Sequence, residues 1–259
     1  MSFRDKIGKT GSERRSNLIL ALDFPFTKSE ERKTLFAKVS AILEAVQSHL
    51  CAVKINHHLT LPFGLFDGVE KLVKRAHDLG LLAIMDCKAN DIGSTNRVIA
   101  EYYFDSGFDA LIANPFVGWE EGLQPIFDVS QNMQRGIILL VYMSHKASPE
   151  GYGQIVFDPL TGQKIPQYMS FAIKALKYGA DGVVVGATFP EKIKEIHAIV
   201  GDKAPIYSPG IGTQGGGLIP TLEAGTKYLI VGRSIVEAHN PKEAASLIQK
   251  LTYPRKSEN

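Results

Sequence analysis

The segment IMDCKANDIGST, residues 84–95, gathers the side chains best suited to chemistry. Its apolar start reads as a strand, along which successive side chains alternate between faces. Asp86 and Lys88 therefore share one face and Cys87 takes the other. With Met85 and Cys87 toward a helix layer, Asp86 and Lys88 point inward, and Asp91 follows past the strand end. Inward charges are costly unless paired. An earlier apolar run, Cys51–Ile55, carries Lys54. Lys54, Asp86, Lys88 and Asp91 can thus form an alternating array of zero formal charge. Such an array can hold an ammonium beside carboxylates, deliver a proton and stabilise negative charge developing on a neighbouring atom. The plainer reading is an ion-pair network that only fixes the fold. Cys87 is expected in core packing rather than as a nucleophile.

A second chemistry is anion binding. The run SPGIGTQGGG, residues 208–217, lets backbone N–H groups approach an anion closely, and Arg233 in VGRS supplies a charged fork. Asp23 ends the first apolar run, and Ser144 with His145 follows Gly136–Tyr142. The connection after Tyr142, residues 145–166, is long and contains ASPEGYGQ, which suits a flap over a site. His57 and His58 lack a nearby carboxylate that would complete a metal set. Trp119 is expected to anchor its loop.

These residues lie at the ends of predicted strands. Strands are expected over Leu18–Asp23, Cys51–Ile55, Leu81–Lys88, Ala110–Ala113, Gly136–Tyr142, Gly182–Gly186, Pro205–Ser208 and Lys227–Val231. Helical periodicity falls between them, over Ser29–Leu50, Gly68–Leu79, Thr95–Asp105 (capped by Ser94 or Thr95), Leu123–Asn132, Gln167–Tyr178, Glu191–Ile199, Pro220–Ala224 and Pro241–Leu251. Eight strand–helix units imply parallel strands, and eight is the number that closes a barrel. The expected fold is α/β, a single-domain (β/α)8 TIM barrel over residues 1–259, with a polar extension at 1–16 and a frayed tail at 253–259. A barrel needs about 250 residues, and the chain has 259. Its active end is the C-terminal end of the strands, and the loops after the last two strands commonly bind phosphate.

Composition narrows the partners. Lys and Arg total 29 against 27 Asp and Glu, a net charge of +2, so neither nucleic acid nor a membrane surface is expected as partner. No apolar run approaches the length of a membrane span, and the polar start does not resemble a secretory signal. Two cysteines without CxxC spacing leave no disulfide framework or zinc motif, and a cytoplasmic location is expected.

LALDFP, VKIN, DCKANDIGST, MSH, SPGIGTQGG and VGRSI occur here in an order and spacing that resemble the orotidine 5′-monophosphate decarboxylases, over roughly Leu18 to Pro241. The resemblance implies decarboxylation of orotidine monophosphate to uridine monophosphate and carbon dioxide, without metal or organic cofactor, in a homodimer. It implies that Lys88 protonates C6 of the pyrimidine, that Asp86 lies against the substrate carboxylate, and that Lys54 and Asp91 complete the charged array. Asp91, Ile92 and Thr95 would reach in from the partner subunit. Asp23 with Lys54 would bind ribose hydroxyls and Ser144 the pyrimidine. Pro209, Gly210, Gln214, Gly232 and Arg233 would hold the phosphate end. Gly217 departs from the acidic residue that often follows QGG in the family. Magnesium-dependent sugar-phosphate relatives share D-x-K-x-x-D but need an acid at the end of the second strand, where this chain has Lys54 and Asn56. A catalytically silent binding barrel is the alternative of a different class.

Overall fold

A computed structural model describes residues 1–27, 31–212 and 215–253. Its short apolar runs form β1 (Leu18–Ala21), β2 (Ala52–Asn56), β3 (Leu82–Ala89), β4 (Ala110–Ala113), β5 (Gly136–Tyr142), β8 (Gly182–Val185), β9 (Ile206–Pro209) and β10 (Thr226–Val231). These eight parallel strands close into a barrel in chain order, with β10 pairing back onto β1. Every residue of β1, β4, β5 and β8 is buried, as expected of parallel strands covered on both faces. Period two sorts them: Ile19, Ile84, Ile112, Ile138 and Leu140 fill the barrel, while Leu18, Leu20, Met85, Leu111 and Leu139 pack outward.

The outer layer comprises α2 (Arg32–Val46), α3 (His57–Phe63), α4 (Glu70–Asp78), α5 (Gly93–Asp105), α6 (Gln124–Asn132), α8 (Gln167–Lys177), α9 (Pro190–Val200), α10 (Leu218–Glu223), α11 (Arg233–Val236) and α12 (Pro241–Thr252). Amphipathic faces drive this packing; α2 buries Leu35, Val39, Leu43 and Val46 at helical spacing. Among the described residues, no helix is long and apolar enough to cross a membrane.

Several expectations change. The polar extension at 1–16 is folded: α1 (Phe3–Arg14) closes the bottom of the barrel with a Ser2–Asp5 capping box. Phe3 and Ile7 join the interior cluster, and a Cβ on Gly136 would stand 2.4 Å from that of Phe3. Arg4 donates to the Ala180 carbonyl at 2.8 Å. α3 was not expected at all. α5 starts at Gly93, with Ile92 as its N-cap and no side-chain cap bond, so Ser94 and Thr95 lie inside its first turn. Gly93 is required because a Cβ there would meet the Glu121 carbonyl at 2.7 Å. Ser29 and the tail from residue 254 lie outside the described residues.

The long connection after β5 is ordered by its own contacts. It forms α7 (Ser148–Tyr152) and an antiparallel hairpin, β6 (Ile155–Asp158) with β7 (Gln163–Pro166). Buried Asp158 closes the hairpin turn by accepting from Thr161 and ties it to α8 by accepting from Ser170. Tyr152 packs on Tyr142 with ring centroids 5.5 Å apart. Trp119 stacks on Tyr178 at 4.4 Å, anchoring its loop as expected.

Candidate active site

The charged residues meet at the C-terminal mouth of the barrel. Register does this: β1 and β2 pair Ala21 with Lys54, and β2 and β3 pair Asn56 with Asp86. Lys54 Nζ donates to Asp86 Oδ2 at 2.8 Å, and Lys88 Nζ donates to Asp86 Oδ1 at 2.7 Å. On its other side Lys54 lies 3.7 Å from Asp23 Oδ1. The result is an alternating row, Asp23–Lys54–Asp86–Lys88. Asp91 is not in it. Its side chain accepts from the Ile92 N–H at 2.7 Å and stays exposed on the rim, so Asp23 replaces it as the outer acid within one chain.

β3 bends to achieve this. Its pairing with β4 jumps from Met85–Leu111 to Ala89–Ala113, so residues 86–88 face a single residue, Ile112. Lys88 takes a left-handed φ of 51°, which a non-glycine residue adopts at a cost of about 1–3 kcal/mol. The bulge keeps Asp86 and Lys88 on one side and sends Cys87 outward against the helix layer. Burial pushes the Cys87 thiol up to about 12, which leaves it protonated and inert, as core packing requires.

Electrostatics in the row are decided by proximity. Burial of Asp86 favours its neutral form, but the charges of Lys54 and Lys88 and their hydrogen bonds outweigh it and hold the carboxyl at about 2. Burial disfavours the Lys54 ammonium, yet Asp86 and Asp23 raise its pKa above the usual lysine value. Both groups are charged at neutral pH. A carboxyl near 2 in the fold and near 3.9 unfolded stabilises the protein above about pH 4, and that contribution disappears as pH falls toward 2. Denaturant titrations are expected to show wild type losing about 2 kcal/mol relative to Asp86→Asn between pH 5 and pH 2. A constant difference would show that Asp86 is not held ionised by its lysines.

The row floors one end of a cleft. Asp86, Lys88, Ile112, Leu140, Ser144, His145 and Val184 line a cavity of about 200 Å³. An adjoining cavity of about 360 Å³ is lined by His58, Gly210, Gly232, Arg233 and Glu237, and both share Asp23, Lys54, Pro209 and Ile230. Ser144 is fixed from the turn after β8: Thr188 donates to its carbonyl at 2.9 Å, and a Cβ on Gly186 would meet its Cα at 2.5 Å. The second cavity opens between the loop after β9 and the start of α11, with Gly210 and Gly212 at φ 96° and 79°. Arg233 is exposed there, free to meet an anion. Gln214 lies outside the described residues. Ile92 and Thr95 lie on the exposed rim beside Asp91, away from the cleft of their own chain.

Sequence reasoning missed one residue here. Asn96, fully buried, ties the Asp91 carbonyl at 2.6 Å to the Gly122 carbonyl at 3.0 Å, fixing the rim. His58 lines the larger cavity from the first turn of α3. Asn96 gave no local signal beyond its residue type, whereas His58 stood out in the sequence and was set aside only because no nearby carboxylate completes a metal set.

Known proteins resemble this chain in sequence and fold. A curated orotidine 5′-phosphate decarboxylase of Methanosarcina mazei is 36% identical over 233 residues, covering 90% of this chain and 93% of that protein. The crystal structure of the Methanocaldococcus jannaschii orotidine 5′-monophosphate decarboxylase, complexed with the inhibitor BMP, superposes with a TM-score of 0.74 at 28% identity over 91% of this chain and 97% of that one. A putative orotidine-monophosphate decarboxylase from Toxoplasma gondii shares the fold with a TM-score of 0.83 at 22% identity, covering 97% of both chains. The Orotidine 5′-phosphate decarboxylase / HUMPS family matches residues 16–248. With that family model matching most of the chain and a relative 36% identical over nine-tenths of it, the chain belongs to the Orotidine 5′-phosphate decarboxylase / HUMPS family.

Proposed function

We propose that the protein decarboxylates orotidine 5′-monophosphate to uridine 5′-monophosphate and carbon dioxide, closing de novo pyrimidine synthesis without a metal or organic cofactor. The observation that carries this reading is Asp86 gripped by two ammonium groups, Lys54 at 2.8 Å and Lys88 at 2.7 Å, at the floor of a cleft whose other end offers Arg233. The substrate carboxylate lies against Asp86 and beside Lys88. Breaking the bond from C6 to the carboxyl carbon leaves an electron pair on C6 as carbon dioxide departs. Lys88, whose ammonium is held beside Asp86 at 2.7 Å, stabilises that charge and transfers its proton to C6. Solvent then restores the proton to Lys88.

Remote groups supply orientation. Asp23 with Lys54 receives the ribose hydroxyls, Ser144 the pyrimidine, and Pro209, Gly210, Gln214, Gly232 and Arg233 the phosphate. The phosphate sits away from the breaking bond, so its binding energy can be spent on closing the lid over the site. The site is completed by a second copy of the chain, which contributes Asp91, Ile92 and Thr95. Supporting this, Ile92 is a large apolar side chain left exposed at the N-cap of α5, where a neighbouring copy would cover it. The magnesium-dependent alternative is disfavoured because Lys54 fills the space between Asp23 and Asp86, where a divalent ion would have to sit.

The assay is loss of substrate absorbance with orotidine 5′-monophosphate after exhaustive EDTA treatment. Undiminished turnover supports the reading, and a metal requirement overturns it. Arg233→Ala is expected to weaken the phosphorylated substrate about 10- to 150-fold, the loss of a charge-assisted hydrogen bond. Unphosphorylated orotidine is expected to change little; equal losses on both would place the phosphate elsewhere.

A further inference from the structure

The geometry points to Asn56 as a positioning residue that aims Asp23 at the substrate's ribose, an inference that rests on the decarboxylase reading above. Asn56 is the last residue of β2 and the N-cap of α3. Its Oδ1 accepts from the His58 N–H at 2.9 Å, and its Nδ2 donates to Asp23 Oδ1 at 2.7 Å. The two bonds fix the amide's orientation. Only an oxygen can accept from the backbone N–H, which leaves the NH2 group for Asp23, and an ionised carboxylate can only accept. The helix cap therefore dictates which end of Asn56 faces the cleft.

The consequence falls on Asp23. Its Oδ1 takes the Asn56 bond and faces Lys54 at 3.7 Å, so both protein donors converge on one oxygen. Oδ2 is left toward Gly232, where an added Cβ would stand 3.3 Å away. That atom faces the larger cavity, which Asp23 and Gly232 both line. One oxygen is committed to the protein and the other is presented to a ligand hydroxyl. Without Asn56 the carboxylate is free to rotate onto Lys54 as an ordinary ion pair, using the oxygen that the ribose needs.

Asn56→Ser separates the two duties. Serine is as good an N-cap as asparagine, so the His58 bond and α3 survive, but its short hydroxyl no longer reaches Asp23. Affinities for uridine 5′-monophosphate and its 2′,3′-dideoxy analogue are to be measured by calorimetry on wild type, Asn56→Ser, Asp23→Ala and the double variant. Asn56→Ser is expected to weaken uridine 5′-monophosphate about 10-fold in the wild-type background and less than about twofold beside Asp23→Ala. The dideoxy analogue is expected to move less than about twofold in either background. Equal losses on both nucleotides, or equal losses with and without Asp23, would overturn the positioning role. Wild type that neither binds uridine 5′-monophosphate nor turns over orotidine 5′-monophosphate would overturn the decarboxylase reading and this ribose assignment with it.

Discussion

Replacing Lys88 with alanine is expected to lower kcat by about 10⁴-fold or more while uridine 5′-monophosphate binds within about tenfold of wild type. The argument joins two contributions. A positioned general acid is worth about 10²–10⁴, and a preorganised charge at a developing anion about 10²–10³. Both act where the C6 electron pair forms, and neither is needed to hold the nucleotide's ribose and phosphate. The structure makes Lys88 hard to replace: its ammonium is 2.7 Å from Asp86, and its backbone is held at φ 51° by the bulge in β3. Lys54, the other lysine of the row, cannot take over, because it is committed to Asp86 and Asp23. Steady-state assays paired with calorimetry read both quantities. Near-normal kcat in this variant would remove Lys88 from the proton transfer.

The second large effect is recovery rather than loss. Asp91→Ala and Lys88→Ala chains, each nearly inactive alone, are expected to regain about a quarter of wild-type activity when unfolded together and refolded in equal amounts. Random pairing makes about half the dimers mixed. Each mixed dimer holds one site with both native residues and one with neither, so about a quarter of all sites are intact. The basis is geometric: Lys88 lies inside its own barrel, while among the described residues the Asp91 carboxylate bonds only its neighbouring Ile92 N–H and stays on the exposed rim. Background activity in proven heterodimers would mean that each barrel uses its own Asp91. The decarboxylase reading would survive that outcome.

Much of the fold was legible because parallel strands buried on both faces write themselves as short apolar runs. Ala110–Ala113 and Gly136–Tyr142 have the same bounds in sequence and structure. Helix α1 was not legible. Only Phe3 and Ile7 enter the barrel as apolar anchors, and two such residues amid ten polar or small ones look like a solvated tail. The hairpin after β5 was hidden for a similar reason: Ile155 and Phe157 alternate as a strand should, but they face outward rather than into a core.

In the site, local spacing placed Asp86 and Lys88 on one face, and the structure has them there. What spacing could not supply was the partner from another strand. Asp23 meets Lys54 only because Ala21 pairs with Lys54 across β1 and β2, a register set by barrel closure rather than by nearby residues. Asp91 was expected in the array although the sequence put it past the strand end; the turn into α5 carries it out of its own barrel's row onto the exposed rim. The left-handed Lys88 gave no signal, since no glycine marks the position.

The most direct test of the central claim follows the atom that Lys88 is held to protonate. EDTA-treated enzyme is incubated with orotidine 5′-monophosphate in D2O, and the product is read by proton NMR and mass spectrometry while released carbon dioxide is counted. The account predicts uridine 5′-monophosphate bearing one deuterium at C6, with one carbon dioxide per nucleotide, and no such product from Lys88→Ala on the same timescale. Unchanged orotidine 5′-monophosphate in the presence of the wild-type enzyme would contradict it.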